Sequence, residues 1–214
     1  MSETERGLRE YLDALRRGDA RTALEVVDDL IDAGVSFDEL CEDVFRPALY
    51  TIGELWERKE ISVADEHLAS AIAETVLACV GSFSSAPLEA RPRVLVCSTQ
   101  DEAHALGARM VGETFAAADW SVQYLGASTP IDAVAGAAVE REVDVLALST
   151  TMSHNLHIAA ETIAAVRASA PHVKVVVGGQ AYSQDPRRAE QVGADIYIDG
   201  LRGMIDAVES AIGR

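Results

Sequence analysis

Positive charge is what this sequence lacks most. Its 214 residues carry 18 Lys and Arg against 35 Asp and Glu, a formal net charge of −17. Residues 1–90 hold 20 acidic and 8 basic residues, and residues 91–214 hold 15 and 10. A phosphate backbone needs the opposite sign, so direct nucleic-acid binding is not expected. An anionic membrane surface is disfavoured for the same reason. Cysteine is also scarce. Cys41, Cys79 and Cys97 are odd in number and form no paired motif, which argues for reduced thiols rather than a disulfide scaffold. No apolar run approaches ~18 residues and no charged-then-apolar leader opens the chain, so a soluble, cytoplasmic protein is expected. Aromatics reach only 5% although hydrophobic residues make up 49%. Ala and Val supply the core instead, which suits helices and buried parallel strands.

The first part of the chain reads as helices. Leu8, Tyr11, Leu12 and Leu15 recur at helical spacing, and Gly18-Asp19 breaks the pattern with Asp19 placed to cap a second helix. Leu24, Val27, Leu30 and Ile31 form the stripe of that helix, closed by Gly34. Ser36-Phe-Asp-Glu39 is a capping box. The helix it opens runs to about Glu57, with a kink expected at Pro47. Ser62 caps a fourth helix reaching about Val80. Four stripes with short joints predict a four-helix bundle over residues 1–83.

Residues 84–92, within a Ser- and Pro-containing stretch from Ser82 to Pro92, read as a linker. From residue 93 to 214 the pattern changes to short Val/Leu runs alternating with amphipathic helices. Strands are predicted at 94–97, 122–125, 143–148, 173–177 and 196–198, with helices at 103–118, 131–140, 157–168 and 202–212. This is the grammar of a Rossmann-like, flavodoxin-like parallel sheet covered on both faces. Such sheets bind ligands beyond the carboxyl ends of their strands.

Three motifs fall at those ends: Glu102-Ala103-His104-Ala105-Leu106-Gly107, then Ser149-Thr150-Thr151 after 41 residues, then Gly178-Gly179 after 26 more. An imidazole at 104 can ligate a metal through one nitrogen. Glu102 can accept a hydrogen bond from the other, fixing its tautomer. Ser149 is placed to hydrogen-bond Glu102 in turn. Gly107 lets an incoming group approach closely, and Gly178-Gly179 leaves room for a bulky tail. A lone histidine before a helix is usually a cap or a core residue; three motifs at matching strand ends shift that balance.

The conjunction resembles the cobalamin-binding domain family, whose signature is Asp/Glu-x-His-x-x-Gly, then Ser-x-Leu or Ser-x-Thr, then Gly-Gly at these intervals. The resemblance implies a cobalamin bound with its own nucleotide base off cobalt. Its tail would lie in a pocket lined by Ser149, Thr151 and Gly178, with His104 as the lower axial ligand. Glu at 102 and Thr at 151 depart from the commoner Asp and Leu.

The bundle holds a second cluster. Trp56 lies near the end of the third helix, and Glu66-His67 comes after nine residues, in the first turns of the fourth. The short joint between should bring the three together. Trp-x9-Glu-His resembles the bundle of CarH-type photoreceptors, a likeness running from about residue 22 to the C-terminus. In that family these residues cap the upper face of adenosylcobalamin, and light breaks the cobalt–carbon bond and releases the bundle. Two departures stand out: the sequence carries no N-terminal winged-helix DNA-binding domain, and Glu57 replaces the histidine that directly succeeds the Trp, a role His67 could assume.

The expectation is therefore a non-enzymatic, light-responsive cobalamin sensor acting through homo-oligomerisation or an unidentified regulatory protein partner, with biliverdin as a candidate second chromophore beside His154, His157 and Tyr182. The alternative is a corrinoid methyl-carrier protein of a methyltransferase system. A mutase accessory subunit would need a partner barrel, and a flavodoxin-like domain without corrin would leave the three motifs unexplained.

Overall fold

The computed structural model describes residues 2–81 and 92–213. The chain divides into two compact units, Met1–Gly81 and Ser82–Arg214. Except for Pro92, the expected linker lies outside the described residues.

The first unit is helical. Helix α1 (Glu3–Arg17) starts at a Ser2–Glu5 capping box and ends at Gly18, whose left-handed φ of 68° lets its amide return to the last carbonyls. Helix α2 (Ala20–Asp32) is capped by Asp19, whose side chain accepts from the Thr22 amide. Its buried stripe is Ala23, Val26, Val27 and Leu30. Ile31, expected in the core, is 41% exposed. Val26 takes the place that periodicity gave it, rotating the buried face by part of a turn.

Helix α3 (Phe37–Leu40) opens at the expected Ser36–Glu39 box and runs through a π segment, Cys41–Phe45, into helix α4 (Arg46–Glu57). The irregularity expected at Pro47 thus falls one turn earlier. Pro47 has no amide to offer and its ring crowds the carbonyl four residues back. The π turn accommodates this by shifting the Arg46 amide to the Cys41 carbonyl. Helix α5 (Val63–Val80) starts at a Ser62–Asp65 capping box. Tyr11, Leu15, Val27, Leu30, Phe45, Ile52, Val76 and Leu77 form the bundle core. Tyr11 and Phe45 meet edge to face at 5.3 Å.

The second unit alternates β1 (Arg93–Ser98), α6 (Leu106–Ala117), β2 (Ser121–Gly126), α7 (Ile131–Glu140), β3 (Val145–Ser149), α8 (Leu156–Ser169), β4 (Lys174–Gly178), the short α9 (Gln180–Ser183) and α10 (Arg187–Gln191), β5 (Ile196–Ile198) and α11 (Met204–Ala211). The strands pair in parallel in the order β2-β1-β3-β4-β5, a flavodoxin-like order. The predicted alternation is present. Helices α9 and α10 were not expected, because four or five residues are too few to display a helical period.

The strand order reverses between β1 and β3, one side growing to β2 and the other to β4 and β5, and such a switch point opens a crevice at the carboxyl ends. The register pairs Ser98 with Ser149, and Ser149 with Gly178. All three motif segments therefore leave the sheet from adjacent strands at the same level.

Candidate corrin-binding site

The turn from Thr99 to Ala105 is held on several sides. The Thr99 amide donates to the Ser149 carbonyl at 3.0 Å, and the Glu102 amide to the Thr99 carbonyl at 3.1 Å. Asp101 sits at φ 64°. The Ser98 hydroxyl donates to the His104 carbonyl at 3.0 Å, and the Tyr124 hydroxyl to the Ala105 carbonyl at 3.3 Å. Beneath the turn, the Thr99 and Thr150 hydroxyls bond at 2.8 Å, and Thr150 meets the Tyr182 hydroxyl at 3.3 Å. Tyr182, expected in a loop beside the ligand, is instead fully buried in the core. Its ring lies 6.1 Å from that of Tyr197 while its hydroxyl is satisfied by Thr150.

Glu102 is 1% exposed and divides its two oxygens. Oε1 accepts from the Nδ1 of His104. Oε2 accepts from the Met152 amide at 2.9 Å, the Thr151 amide at 3.1 Å and the Asn155 Nδ2 at 3.3 Å. Burial works against the charge, but the hydrogen bonds from His104 and from the Met152 and Thr151 amides outweigh it and hold the carboxyl down at about 2. Glu102 is thus a carboxylate acceptor for Nδ1–H, and the lone pair of the imidazole falls on Nε2. The His104 side chain is 54% exposed.

The expected Ser149–Glu102 hydrogen bond is not made. The Ser149 hydroxyl faces Gly107, 3.6 Å from where a Cβ would stand. Glu102 reaches past it to the loop after β3. Asn155 and the Met152 amide were missed by sequence reasoning, because nothing in a Met-Ser-His-Asn stretch marks which backbone amide a distant carboxylate will find.

The glycines differ in function. At Gly107 that hydroxyl is all that lies within 4 Å of an added Cβ, so the space above α6 is open to a ligand. At Gly178 a Cβ would lie 3.0 Å from the Ile198 carbonyl oxygen, and at Gly179 2.4 Å from that of Thr150. Gly179 also adopts φ 106°. These two are required first by the close approach of β4 to its neighbours, and they fix the Thr150 loop that carries the Glu102 donors. Ala103 and Gly107 are exposed, and Thr151 is half-buried. His154 and His157 are exposed, with His157 Nδ1 2.8 Å from the His154 carbonyl.

In the helical unit, Trp56 occupies the last turn of α4 and is 46% exposed. Lys59, at φ 60°, turns the chain as its amide returns to the Trp56 carbonyl at 2.8 Å. Glu66 and His67 lie in the first turns of α5, at the same end of the bundle. The half-buried Glu66 accepts from the Ser70 hydroxyl at 2.9 Å and meets His67 Nδ1 at 2.5 Å.

A five-stranded parallel sheet with an oriented, exposed histidine, an open glycine and a glycine-pinned loop at one crevice suits a planar, metal-bearing ligand. The residues present fit a corrinoid: with Nδ1 of His104 turned to Glu102, Nε2 is the ring nitrogen that would meet a metal, and Gly107 leaves open space beside it. Two family models, each described as a B12 binding domain, match residues 92–203 and 8–80. The chain belongs to this B12-binding family and is a cobalamin-binding protein.

The HTH-type transcriptional repressor CarA of Myxococcus xanthus is 33% identical over 162 residues, 75% of this chain and 50% of the repressor. The chain thus spans about half the length of that relative. Trimethylamine corrinoid protein 1 of Methanosarcina acetivorans is 23% identical over 220 residues, covering 99% of this chain and 100% of that protein. The structure of the Methanosarcina barkeri monomethylamine corrinoid protein superposes with a TM-score of 0.78 over 97% of this chain and 98% of that one. At 18% identity this likeness shows the shared fold. Among the described residues no helix is long and apolar enough to cross a membrane.

Proposed function

We propose that this protein is a light-responsive cobalamin sensor that turns over no substrate and works in the cytoplasm. His104 serves as the lower base for cobalt, held by Glu102, while Ser149, Thr151 and Gly178 line the path of the nucleotide tail. In this reading Trp56, Glu66 and His67 would be the helical unit's contribution to holding the corrinoid. When bound, adenosylcobalamin supplies a cobalt–carbon bond that light can break. The helical unit would read out the loss of that bond as a change in its packing. The output is a changed homo-oligomer or a changed grip on a regulatory protein partner. Biliverdin is the candidate second chromophore. The charge of −17 keeps nucleic acid and anionic membranes out of the partner set.

The observation that carries this reading is the cluster at one end of the helical unit. An indole left 46% exposed contributes little to the bundle core. It sits at the same end as a carboxylate–imidazole pair locked at 2.5 Å and braced by Ser70. The identity to a repressor over 75% of the chain supports it. A second reading, a corrinoid methyl carrier, is favoured by alignment over 99% of this chain with a trimethylamine corrinoid protein.

The test is an absorption spectrum with gel filtration on protein loaded with adenosylcobalamin in the dark, then lit with green light, with and without biliverdin. A light-dependent change in both spectrum and elution volume supports the sensor. A long-wavelength band with biliverdin adds the second chromophore. Photolysis with constant elution, together with preference for methylcobalamin, transfers the assignment to the methyl carrier. His104→Ala should leave any bound cobalamin without a protein base, and an unchanged spectrum and affinity would remove His104 from the site.

A further inference from the structure

We infer that Asn155 is a positioning residue for the lower ligand, completing the relay in the place expected of Ser149. The inference deepens the cobalamin reading and rests on it for its ligand. Its own basis is geometric. Glu102 Oε2 receives three donors, and two of them are backbone amides that any sequence would supply. Asn155 Nδ2, at 3.3 Å, is the side chain among them. Asn155 is 3% exposed. Its own amide closes the turn to the Met152 carbonyl at 2.9 Å, so the residue that shapes the loop also grips the carboxylate. Ser149 makes no such contact; its hydroxyl lies 3.6 Å from where a Cβ at Gly107 would stand.

The consequence falls on His104. A carboxylate fixed at one oxygen cannot swing, so its other oxygen stays aimed at Nδ1, and one imidazole tautomer is favoured. Without Asn155, Glu102 keeps two amides from adjacent residues, which act as a hinge rather than a clamp. The length of Glu matters here as well. Shortening the side chain by one methylene withdraws the carboxylate by about 1.5 Å, beyond reach of a donor already at 3.3 Å. Residues 102 and 155 should therefore act as a coupled pair.

The experiment uses the full-length, 15N-labelled protein without cobalamin to read the His104 ring nitrogens, and then titrates it with hydroxocobalamin. The parent should show a single tautomer with the proton on Nδ1. Asn155→Ala and Asn155→Asp should show mixed tautomers and roughly 10–100-fold weaker binding. Glu102→Asp should give a similar loss, with little further loss in the double variant. Ser149→Ala should keep the parent tautomer. Folded Asn155 variants with the parent's tautomer and affinity would overturn the assignment, as would additive effects of Glu102→Asp and Asn155→Ala. Loss of folding in both Asn155 variants would also overturn it, making Asn155 a scaffold residue. A parent that binds no hydroxocobalamin would refute the cobalamin reading, while the tautomer comparison still judges Asn155.

Discussion

Replacing Gly179 and Gly107 in turn by alanine should separate fold from ligand. At Gly179 the added Cβ would stand 2.4 Å from the Thr150 carbonyl oxygen and 2.9 Å from its carbon. These are backbone atoms in a loop pinned on both sides: the Thr150 amide donates to Gly178, and the Ala181 amide to Thr150. Neither side can yield without breaking a bond. The φ of 106° adds conformational strain for any side chain, about 1–3 kcal/mol, and the forced contact about as much again. A loss of roughly 2–6 kcal/mol is a large share of the 5–15 kcal/mol typical of a domain. Gly107 is the second residue of α6, and an added Cβ meets nothing nearer than 3.6 Å. Alanine there should be neutral or stabilising by up to about 1 kcal/mol, since glycine costs that much in a helix. Yet its methyl fills the space assigned to the ligand, so hydroxocobalamin binding should fall. Urea unfolding of the apo protein and a cobalamin titration measure the two effects. Gly179→Ala unfolding within 0.5 kcal/mol of the parent would refute the close-packing argument. Gly107→Ala binding as tightly as the parent would refute the open-face argument.

Other perturbations test the electrostatics and the surface. The Glu102 carboxyl is held at about 2 in the fold and titrates near 4.3 in an unfolded chain. Its contribution, roughly 2–3 kcal/mol, is therefore complete above pH ~4.3 and is lost as pH falls through about 2. Glu102→Gln should lower apo stability at pH 7 and flatten the acid limb; equal acid limbs in the two proteins would count against the clamp. Trp56→Ala, at a site 46% exposed, should cost the apo fold under about 1 kcal/mol while changing photolysis rate or dark assembly. Parent-like behaviour in light would reduce Trp56 to a surface residue. Burial pushes the Cys97 thiol up to about 12, and Cys41 is buried while Cys79 is exposed. Iodoacetamide should label Cys79 in the native protein and reach the other two after denaturation.

Much of this was local enough to read. The capping box at Ser36 and the cap at Ser62 involve residues within one turn, so the sequence states them directly. The alternation of buried strands and helices is likewise a period along one chain, and it implied a parallel sheet with its site at the strand ends. The motif spacing across Glu102, His104, Gly107, Ser149 and Gly178 points to a cobalamin domain from sequence alone. What escaped was set by contacts between distant segments. Ile31 lies outside the core because the neighbouring helices face Val26, a choice that helical periodicity leaves open. Tyr182 left its predicted loop for the core because the Thr99–Thr150 pair offered its hydroxyl a partner.

The sequence by itself determined that a histidine with a carboxylate two residues before it stands at the end of a first strand. Side-chain type and spacing suffice for that. Only the tertiary structure decided what holds the carboxylate. The pairing of Ser98, Ser149 and Gly178 in one register brings the loop after β3 under Glu102. A hydrogen bond acts over about 3 Å, so its partner is fixed by how strands align across some 50 residues of chain, and not by any neighbour in sequence.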